Sequence, residues 1–127
     1  MKLRIQNNTL RLRLTRSELA RLEETGRVTA HTEFGEAPDQ RLVYTLESSN
    51  ESSNLSARYA HGNITVTLPP SLAREWIKSD EIGLEGEQVS GETAFLKIIV
   101  EKDLTCSKGN KEADSDTFPY LNGSVRC

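Results

Sequence analysis

Residues 10–14 read Leu-Arg-Leu-Arg-Leu, and residues 64–68, which lie 54 positions further along the chain, read Ile-Thr-Val-Thr-Leu. Strict alternation of apolar and polar side chains predicts a half-buried β-strand at both places. The same offset, applied without a gap, aligns residues 1–47 with 55–101, and 13 of the 17 apolar residues in the first segment meet an apolar partner. Chance gives roughly seven such matches. The burial pattern therefore predicts two similar halves that share one core.

Each half is predicted to fold in the order β-β-α-β-β. In the first half, Asn7-Asn8 favours a hairpin turn, and Thr15 and Glu18 have the spacing of a capping box at the start of a short helix. Gly26 suits the left-handed end of that helix. In the second half, Pro70 suits the first turn of a helix, and the last two strands are expected near 81–87 and 93–101.

These elements predict a single domain over 1–127, divided into repeat one (1–47), a polar linker (48–54), repeat two (55–101) and a C-terminal tail (102–127). The predicted fold is mostly β (α+β), a pseudo-twofold β-barrel or sandwich with two short helices and a C-terminal extension. Trp76 is predicted to be a core residue of the second helix. The centre of the fold is predicted to hold Leu10, Leu12, Leu14, Ile64, Val66, Leu68, Ile98 and Val100.

We expect a cytoplasmic protein, because the sequence shows neither a membrane segment nor an export signal. No apolar run approaches the ~20 residues of a membrane helix, and the first residues show no signal-peptide block, so no membrane partner is expected. The two cysteines, Cys106 and Cys127, are too few for a disulfide scaffold, and we expect both to be free thiols.

The second half carries a motif with a family resemblance. Residues 62–73 read Gly-Asn-Ile-Thr-Val-Thr-Leu-Pro-Pro-Ser-Leu-Ala and precede a predicted helix, an acidic turn and a final hairpin. This pattern resembles the AbrB/MazE-type swapped-hairpin domain, and the first half matches it more loosely, with Thr15 where the family usually has proline. In that family two short ββαββ chains interlace into one barrel. The resemblance implies an internal pseudo-dimer, and it leaves open whether the halves swap hairpins or simply pack.

The ends of the chain resemble a second family, one of small uncharacterised bacterial proteins. The resemblance rests on Lys2-x-Arg4-Ile5 at the start, Glu101-Lys102-Asp103-x-x-Cys106 after the last strand, and Asp116-Thr117-Phe118-Pro119 in the tail. That family implies no activity, and residues 120–127 depart from its usual tail.

A basic strand face is the first candidate site. Residues 1–30 carry a net charge of +4 and the rest of the chain −7, for a total of −3. If the first two strands form a hairpin, alternation places their cations on one solvent face, which could contact DNA phosphates or guanine edges, as AbrB-type regulators do. The candidate nucleic-acid-binding residues are Lys2, Arg4, Arg11, Arg13 and Arg58.

The alternative interpretation of this face is a solvated strand surface whose arginines pair with Glu33, Glu47 or Glu101. A pseudo-twofold DNA reader needs two basic halves, and of the matching positions in the second half only Arg58 is basic. The negative net charge also favours this alternative, because most nucleic-acid binders are basic.

The acidic tail is the second candidate site. Its carboxylates and thiol could ligate a metal, but Asp114-Ser115-Asp116 lacks the glycine and final glutamate of a calcium loop, and one cysteine without a nearby histidine suits zinc poorly. No metal or cofactor is therefore predicted, and we expect Phe118-Pro119-Tyr120 to pack back on the fold. The residues weighed for a metal are Glu101, Asp103, Cys106, Asp114 and Asp116.

Catalytic residues find little support, so no enzyme is predicted. His31 and His61 are the only histidines, and His61 falls in a turn. Ser71 starts a helix, and Cys106 has nearby lysines but no identifiable base. The sequence predicts a non-enzymatic binding or interaction module with a protein partner. The alternatives are a DNA-binding regulator or antitoxin-like protein that uses the basic N-terminal hairpin and, third, a metal- or thiol-dependent enzyme around Cys106.

Overall fold

The computed structural model describes residues 1–51, 53–104 and 116–118. The first half contains β1 (Lys2–Gln6), β2 (Thr9–Leu14), α1 (Arg16–Thr25), β3 (Arg27–Glu33), a 3₁₀ turn (Pro38–Gln40) and β4 (Arg41–Ser48). The second half contains β5 (Ser56–Ala60), β6 (Asn63–Leu68), α2 (Pro70–Lys78), β7 (Gly83–Val89) and β8 (Phe95–Lys102). Among the described residues, no helix has the length and apolar character needed to cross a membrane.

The strands form two four-stranded sheets, which we name sheet A (β1-β2-β8-β7) and sheet B (β3-β4-β6-β5). Each sheet combines one hairpin from each half of the chain, joined at the centre by a parallel pair, β2 with β8 or β4 with β6. The mostly β, α+β prediction is confirmed. The closed barrel is not formed, because among the described residues no strand ladder joins the two sheets and each keeps two edge strands.

The core lies between the two sheets and the helices. Alternation in β2 and β6 turns every second side chain inward. All eight side chains that were predicted at the centre are buried. Trp76 is fully buried on α2, and its Nε1 donates to the Ile82 carbonyl oxygen at 3.1 Å. The predicted core is therefore confirmed.

Local sequence signals also fold as predicted at both helices. The Thr15 side chain accepts from the Glu18 amide, and a Glu18 carboxylate oxygen accepts from the Thr15 amide at 3.0 Å, which completes the capping box. Gly26 ends α1 with a φ of 78°, and its amide donates to the Leu22 carbonyl. Pro70 lies in the first turn of α2, where its missing amide hydrogen leaves no helical bond unmade.

The strand pairings follow the 54-residue offset in most places. Leu3 pairs with Leu12, and Ala57 pairs with Val66, so the hairpins β1–β2 and β5–β6 share one register. The parallel pairs also correspond, since Leu10 lies beside Ile98 and Ile64 lies beside Tyr44.

The exception to this offset is β7, which lies two residues later than the alignment predicts. Val28 pairs with Leu46, and the corresponding pair in sheet A is Leu84 with Val100, so Val28 corresponds to Leu84 rather than to Ile82. The reason is a longer connection between α2 and β7. It contains residues 79–82, whereas Gly26 alone connects α1 to β3.

Candidate functional site

The four basic residues of the first hairpin share one face, as predicted. Lys2 lies opposite Arg13, and Arg4 lies opposite Arg11, across the antiparallel pair β1–β2. Directly opposed residues point to the same side of a sheet, and this is the outer side because the leucines between them are turned to the core. We call these four side chains the basic face of sheet A.

Carboxylates from β8 and its end neutralise most of the basic face. Glu101 Oε1 lies 2.5 Å from Arg13 Nε and 3.3 Å from Arg11 Nη1. The Nζ of Lys2 lies 2.9 Å from Asp103 Oδ2, and this aspartate is buried. Of the carboxylates considered as partners for these arginines, Glu101 pairs with Arg11 and Arg13 as expected. Glu33 instead lies 3.2 Å from Arg41, on sheet B.

Arg4 is different, because it has no carboxylate within ion-pair distance among the described residues. Arg58, which stands 54 positions later, lies on sheet B, with Nη2 3.3 Å from Glu47 Oε1 and Nη1 3.8 Å from Glu51 Oε2. The five candidate nucleic-acid-binding residues are therefore divided between two sheets: four lie on sheet A, and Arg58 lies on sheet B.

The difference between Arg4 and Arg58 has a local cause. In the first half, Arg11 and Arg13 both donate hydrogen bonds to the Glu101 carboxylate. In the second half the same positions of β6 are threonines, of which Thr67 donates only a long hydrogen bond of 3.4 Å to Glu47 Oε1. Glu47 is therefore available to Arg58, whereas Arg4 has no equivalent acceptor.

The hairpin connections within each sheet lie side by side. In sheet A, the Asn8 side chain donates to the Phe95 carbonyl at 2.6 Å, which ties the β1–β2 turn to the β7–β8 loop. In sheet B, the Val43 amide donates to the Gly62 carbonyl at 2.8 Å, which ties the β5–β6 turn to the start of β4. The parallel central pairs produce this arrangement, because parallel strands begin at the same end of a sheet.

Contacts between β5 and β7 place both sets of connections at one end of the molecule. A Cβ on Gly86 would lie 3.1 Å from Leu55, and two residues further on the Gln88 side chain bonds to Ala57. The two strands therefore advance in the same direction. We call the end of the molecule that carries the four hairpin connections the hairpin end, and both helices follow strand ends on the opposite side.

Large apolar side chains are exposed at the hairpin end. Val89 and Phe95 are direct cross-strand partners next to the β7–β8 loop, and they are 71% and 58% exposed. Three further exposed side chains flank the other connections: Ile5, Phe34 and Tyr59. The exposure of these residues was not predicted. Ile5 and Tyr59 lie two positions before the predicted turns at Asn7 and His61, and Val89 lies between the strands predicted near 81–87 and 93–101, which is the signal that could have found them.

The described part of the tail binds the start of α1. Asp116 accepts from the Ser17 amide at 3.0 Å and from the Ser17 hydroxyl at 2.5 Å, and its own carbonyl accepts from the Arg16 amide at 2.8 Å. The hydrogen bonds from the side chain and then the backbone of Ser17 hold the pKa of Asp116 below its usual value. The tail thus adds a second carboxylate beside Glu18 to the positive end of the helix.

Phe118 anchors this segment on the rest of the fold, as predicted for the start of Phe118-Pro119-Tyr120. Its amide donates to the Asp103 carbonyl at 2.8 Å, and its ring centroid lies 5.1 Å from the Arg16 guanidinium carbon and 5.7 Å from Lys102 Nζ. Burial lowers the pKa of Lys102 in spite of Asp80 and Glu81, and its Nζ donates to the Ser79 carbonyl at 2.7 Å. Pro119 and Tyr120 lie outside the described residues.

Each candidate metal ligand among the described residues already binds another group of the protein. Glu101 binds arginines, Asp103 binds Lys2, and Asp116 binds the start of α1. Within the described ranges no group of three or more histidine, cysteine, aspartate or glutamate side chains could hold a metal ion. Cys106 and Asp114, which the metal and thiol hypotheses need, lie outside those ranges.

The other candidate catalytic residues are exposed and lie on separate elements. His31 lies on β3, with Nε2 3.7 Å from Glu33 Oε1, and His61 lies in the β5–β6 turn with a φ of 50°. Ser71 is exposed in the first turn of α2. The structure therefore does not bring these three residues together.

The fold defines a mostly β domain in which two four-stranded sheets each combine hairpins from both halves of the chain. A family model described as a family of unknown function (DUF7009) matches residues 1–122, and the chain belongs to that family. The expectation of an uncharacterised family is confirmed. Comparisons with curated proteins and with solved structures gave no match.

Proposed function

We propose that this chain is a non-enzymatic protein-binding module whose contact surface is the hairpin end. The observation that carries the proposal is the gathering of exposed Ile5, Phe34, Tyr59, Val89 and Phe95 at that end. Val89 and Phe95 lie directly opposite each other and so expose two large apolar side chains side by side. Exposed aromatic side chains are typical anchors of protein interfaces.

We also propose that the two halves are tandem ββαββ repeats arranged like the swapped-hairpin domain that the sequence resembles. The strand orders β1-β2-β8-β7 and β3-β4-β6-β5 support this proposal, and so does the register that the two N-terminal hairpins share. In such an arrangement neither half can form its sheets alone, so the hairpin end is held on one rigid core.

A DNA-binding regulator is the second candidate, and it is favoured by Arg4 on the basic face, which has no ion-pair partner among the described residues. The ion pairs of Glu101 and Asp103 weigh against it, because cations that already have carboxylate partners release fewer DNA counterions. The position of Arg58 also weighs against DNA binding, because it lies on sheet B while the other four basic residues lie on sheet A.

The protein-binding proposal is tested by partner capture. Tagged wild-type protein is compared with the double variant Val89→Ser/Phe95→Ser, which removes two exposed apolar side chains without touching the core. Ile82→Ser is the matched control, because Ile82 is also an exposed apolar residue but lies between α2 and β7. We expect wild type and control to capture the same protein from native cells and the double variant to lose it at an unchanged melting temperature. Equal capture by all three would contradict the proposal.

The DNA alternative is tested by a salt titration of binding to duplex DNA, followed by fluorescence anisotropy. Phosphate contact requires the affinity to fall steeply with salt and the variant Arg11→Ala/Arg13→Ala to show a shallower slope. That result would replace the protein-binding proposal with a regulator.

A further inference from the structure

The outer edge of β5 is closed by a side chain. Gln88 on β7 accepts from the Ala57 amide through Oε1 at 2.8 Å and donates to the Ala57 carbonyl through Nε2 at 2.7 Å. A primary amide thus makes the two hydrogen bonds that a neighbouring strand would make. The backbone groups of Ala57 therefore point away from β6 and toward β7.

Among the described residues, the outer edge of β1 has no such partner. Leu3 occupies the position of Ala57 in a hairpin of the same register, so its amide and carbonyl also point outward. The β3 residue that corresponds to Gln88 is Thr32, whose side chain has no amide. No hydrogen bond or ion pair joins β1 to β3 within the chain segments that the structure describes.

We infer that the open edge of β1 receives an extended segment of a partner protein that alternates acidic and apolar side chains. The inference rests on the proposed protein-binding function and names the chemistry of its partner. An added strand satisfies the free backbone groups of an edge, and its side chains alternate between the two faces.

The charges along β1 select an acidic segment. Lys2 and Arg4 point to the outer face, where Asp103 already pairs with Lys2 at 2.9 Å, whereas Arg4 has no carboxylate partner among the described residues. An acidic side chain on the outer face of the added strand lies opposite Arg4, and opposite charges across a strand pair are favourable.

The inner face of β1 selects apolar side chains at the alternate positions of the segment. Leu3 is half-buried at the margin of the core, and Ile5 is 60% exposed although it points to the same side. Apolar side chains of an added strand cover this exposed surface. The partner segment therefore carries apolar side chains at these alternate positions.

A second copy of this chain fits the edge less well. If β1 pairs with β1 of another copy, Lys2 and Arg4 of the two strands lie near each other on one face. Like charges across a strand pair are destabilising, and basic residues on an edge strand oppose self-association.

The test uses the full chain and two fluorescein-labelled seven-residue peptides, one that alternates Glu with Val and one that alternates Lys with Val. We expect the acidic peptide to bind at least tenfold more tightly than the basic one. Arg4→Glu should weaken its binding about fivefold, since an attraction becomes a repulsion.

A proline substitution tests the location of the peptide. Ile5→Pro removes an outward amide hydrogen without removing a β1–β2 ladder bond, so it should abolish binding while the fold remains. Tyr59→Pro is the matched control for stability, because Tyr59 has the same place in the β5–β6 hairpin, and its melting temperature should match that of Ile5→Pro. Bound peptide should also slow hydrogen exchange of the Leu3 and Ile5 amides.

Four results would overturn the inference. Undiminished peptide binding by Ile5→Pro would exclude the β1 edge, and failure of the acidic peptide to bind at millimolar concentration would exclude the acidic segment. Neither result touches the proposed function, which the capture experiment with Val89→Ser/Phe95→Ser decides. Tighter binding of duplex DNA with the same dependence on Arg4 would assign the edge to DNA. A dimer that Ile5→Pro abolishes would assign it to a second copy.

Discussion

Gln88 makes two hydrogen bonds with the backbone of Ala57, at 2.7 and 2.8 Å, and so joins sheet A to sheet B without a strand ladder. The approach of the two edges depends on Gly86, because a Cβ there would lie 3.1 Å from both the Cβ and the carbonyl oxygen of Leu55. A glycine and a glutamine two residues apart therefore hold the β5–β7 side of the fold together.

Replacement of Gln88 by leucine should lower the free energy of unfolding by about 2 kcal/mol, because the Ala57 amide and carbonyl lose their partners. Equilibrium urea unfolding, followed by the fluorescence of Trp76, measures the change. Thr32→Ala is the matched control on the other side of the molecule, where no hydrogen bond is lost, and it should change stability by less than about 0.5 kcal/mol. Equal effects of the two substitutions would show that the glutamine bonds do not stabilise the fold.

Glu101 is predicted to matter more for stability than other carboxylates on the outer face of sheet A. Glu101→Gln leaves Arg11 and Arg13 close together without their shared anion, and it should cost about 1 kcal/mol at low salt and less at high salt. Glu85→Gln is the control, since Glu85 lies 3.8 Å from Lys97 and is more exposed. Urea unfolding at two salt concentrations gives both values, and equal losses in the two variants would contradict the prediction.

The sequence predicted the parts of this fold that depend on local patterns. Alternation fixes which face of β2 and β6 is buried, and the spacing of Thr15, Glu18 and Gly26 fixes both ends of α1. These signals act over a few residues, so one sequence suffices to read them.

The arrangement of the hairpins depends on contacts that local patterns do not encode. The first hairpin of each half could share a sheet with the second hairpin of the same half or with that of the other half. Both arrangements bury the same side chains, so alternation does not distinguish them. The two-residue displacement of β7 was missed for a related reason. A strand that moves by two residues keeps the same side chains inward, so Ile82 and Leu84 look equally suitable as the counterpart of Val28.

The candidate site could be predicted only in part. The shared face of Lys2, Arg4, Arg11 and Arg13 follows from alternation, and Glu101 was among the partners weighed for it. The exposed apolar side chains at the hairpin end were not predicted, since an apolar residue in an alternating strand is normally read as core. Val89 and Phe95 are exposed because the register places them on the outer face of sheet A, in alternation with inward Ile98. Ile5 and Tyr59 lie on inner faces, but at the ends of their strands next to the hairpin turns.

Gly26 and Gly62 offer a matched pair of substitutions, because their φ angles are 78° and 76°. Alanine at Gly26 should cost about 1 kcal/mol for the left-handed backbone alone, since nothing lies within 4 Å of the added Cβ. Alanine at Gly62 should cost more, because its Cβ would lie 2.8 Å from the Arg41 carbonyl oxygen. Urea unfolding compares the two variants, and a smaller loss for Gly62→Ala would contradict the geometry of the hairpin end.

Docking of the tail on α1 should depend on pH through Asp116. Hydrogen bonds from Ser17 lower the pKa of this carboxyl in the folded protein, so its ionised form stabilises the fold. The contribution is therefore present above the ordinary aspartate pKa of about 4 and is lost as the pH falls through the lower folded value.

Asp116→Asn removes this charge at every pH, and it gives the test. We expect the variant to melt at a lower temperature than wild type at pH 7. The difference should shrink as the pH falls below the ordinary aspartate pKa and disappear below the lowered pKa of Asp116 in the folded protein. Asp39→Asn, on an exposed residue of the 3₁₀ turn, is the control and should show no comparable change between the two pH values. A difference between wild type and Asp116→Asn that is the same at both ends of the range would mean that the Asp116 carboxylate does not hold the tail. In that case Phe118, held between Arg16 and Lys102, would be the contact that fixes this segment.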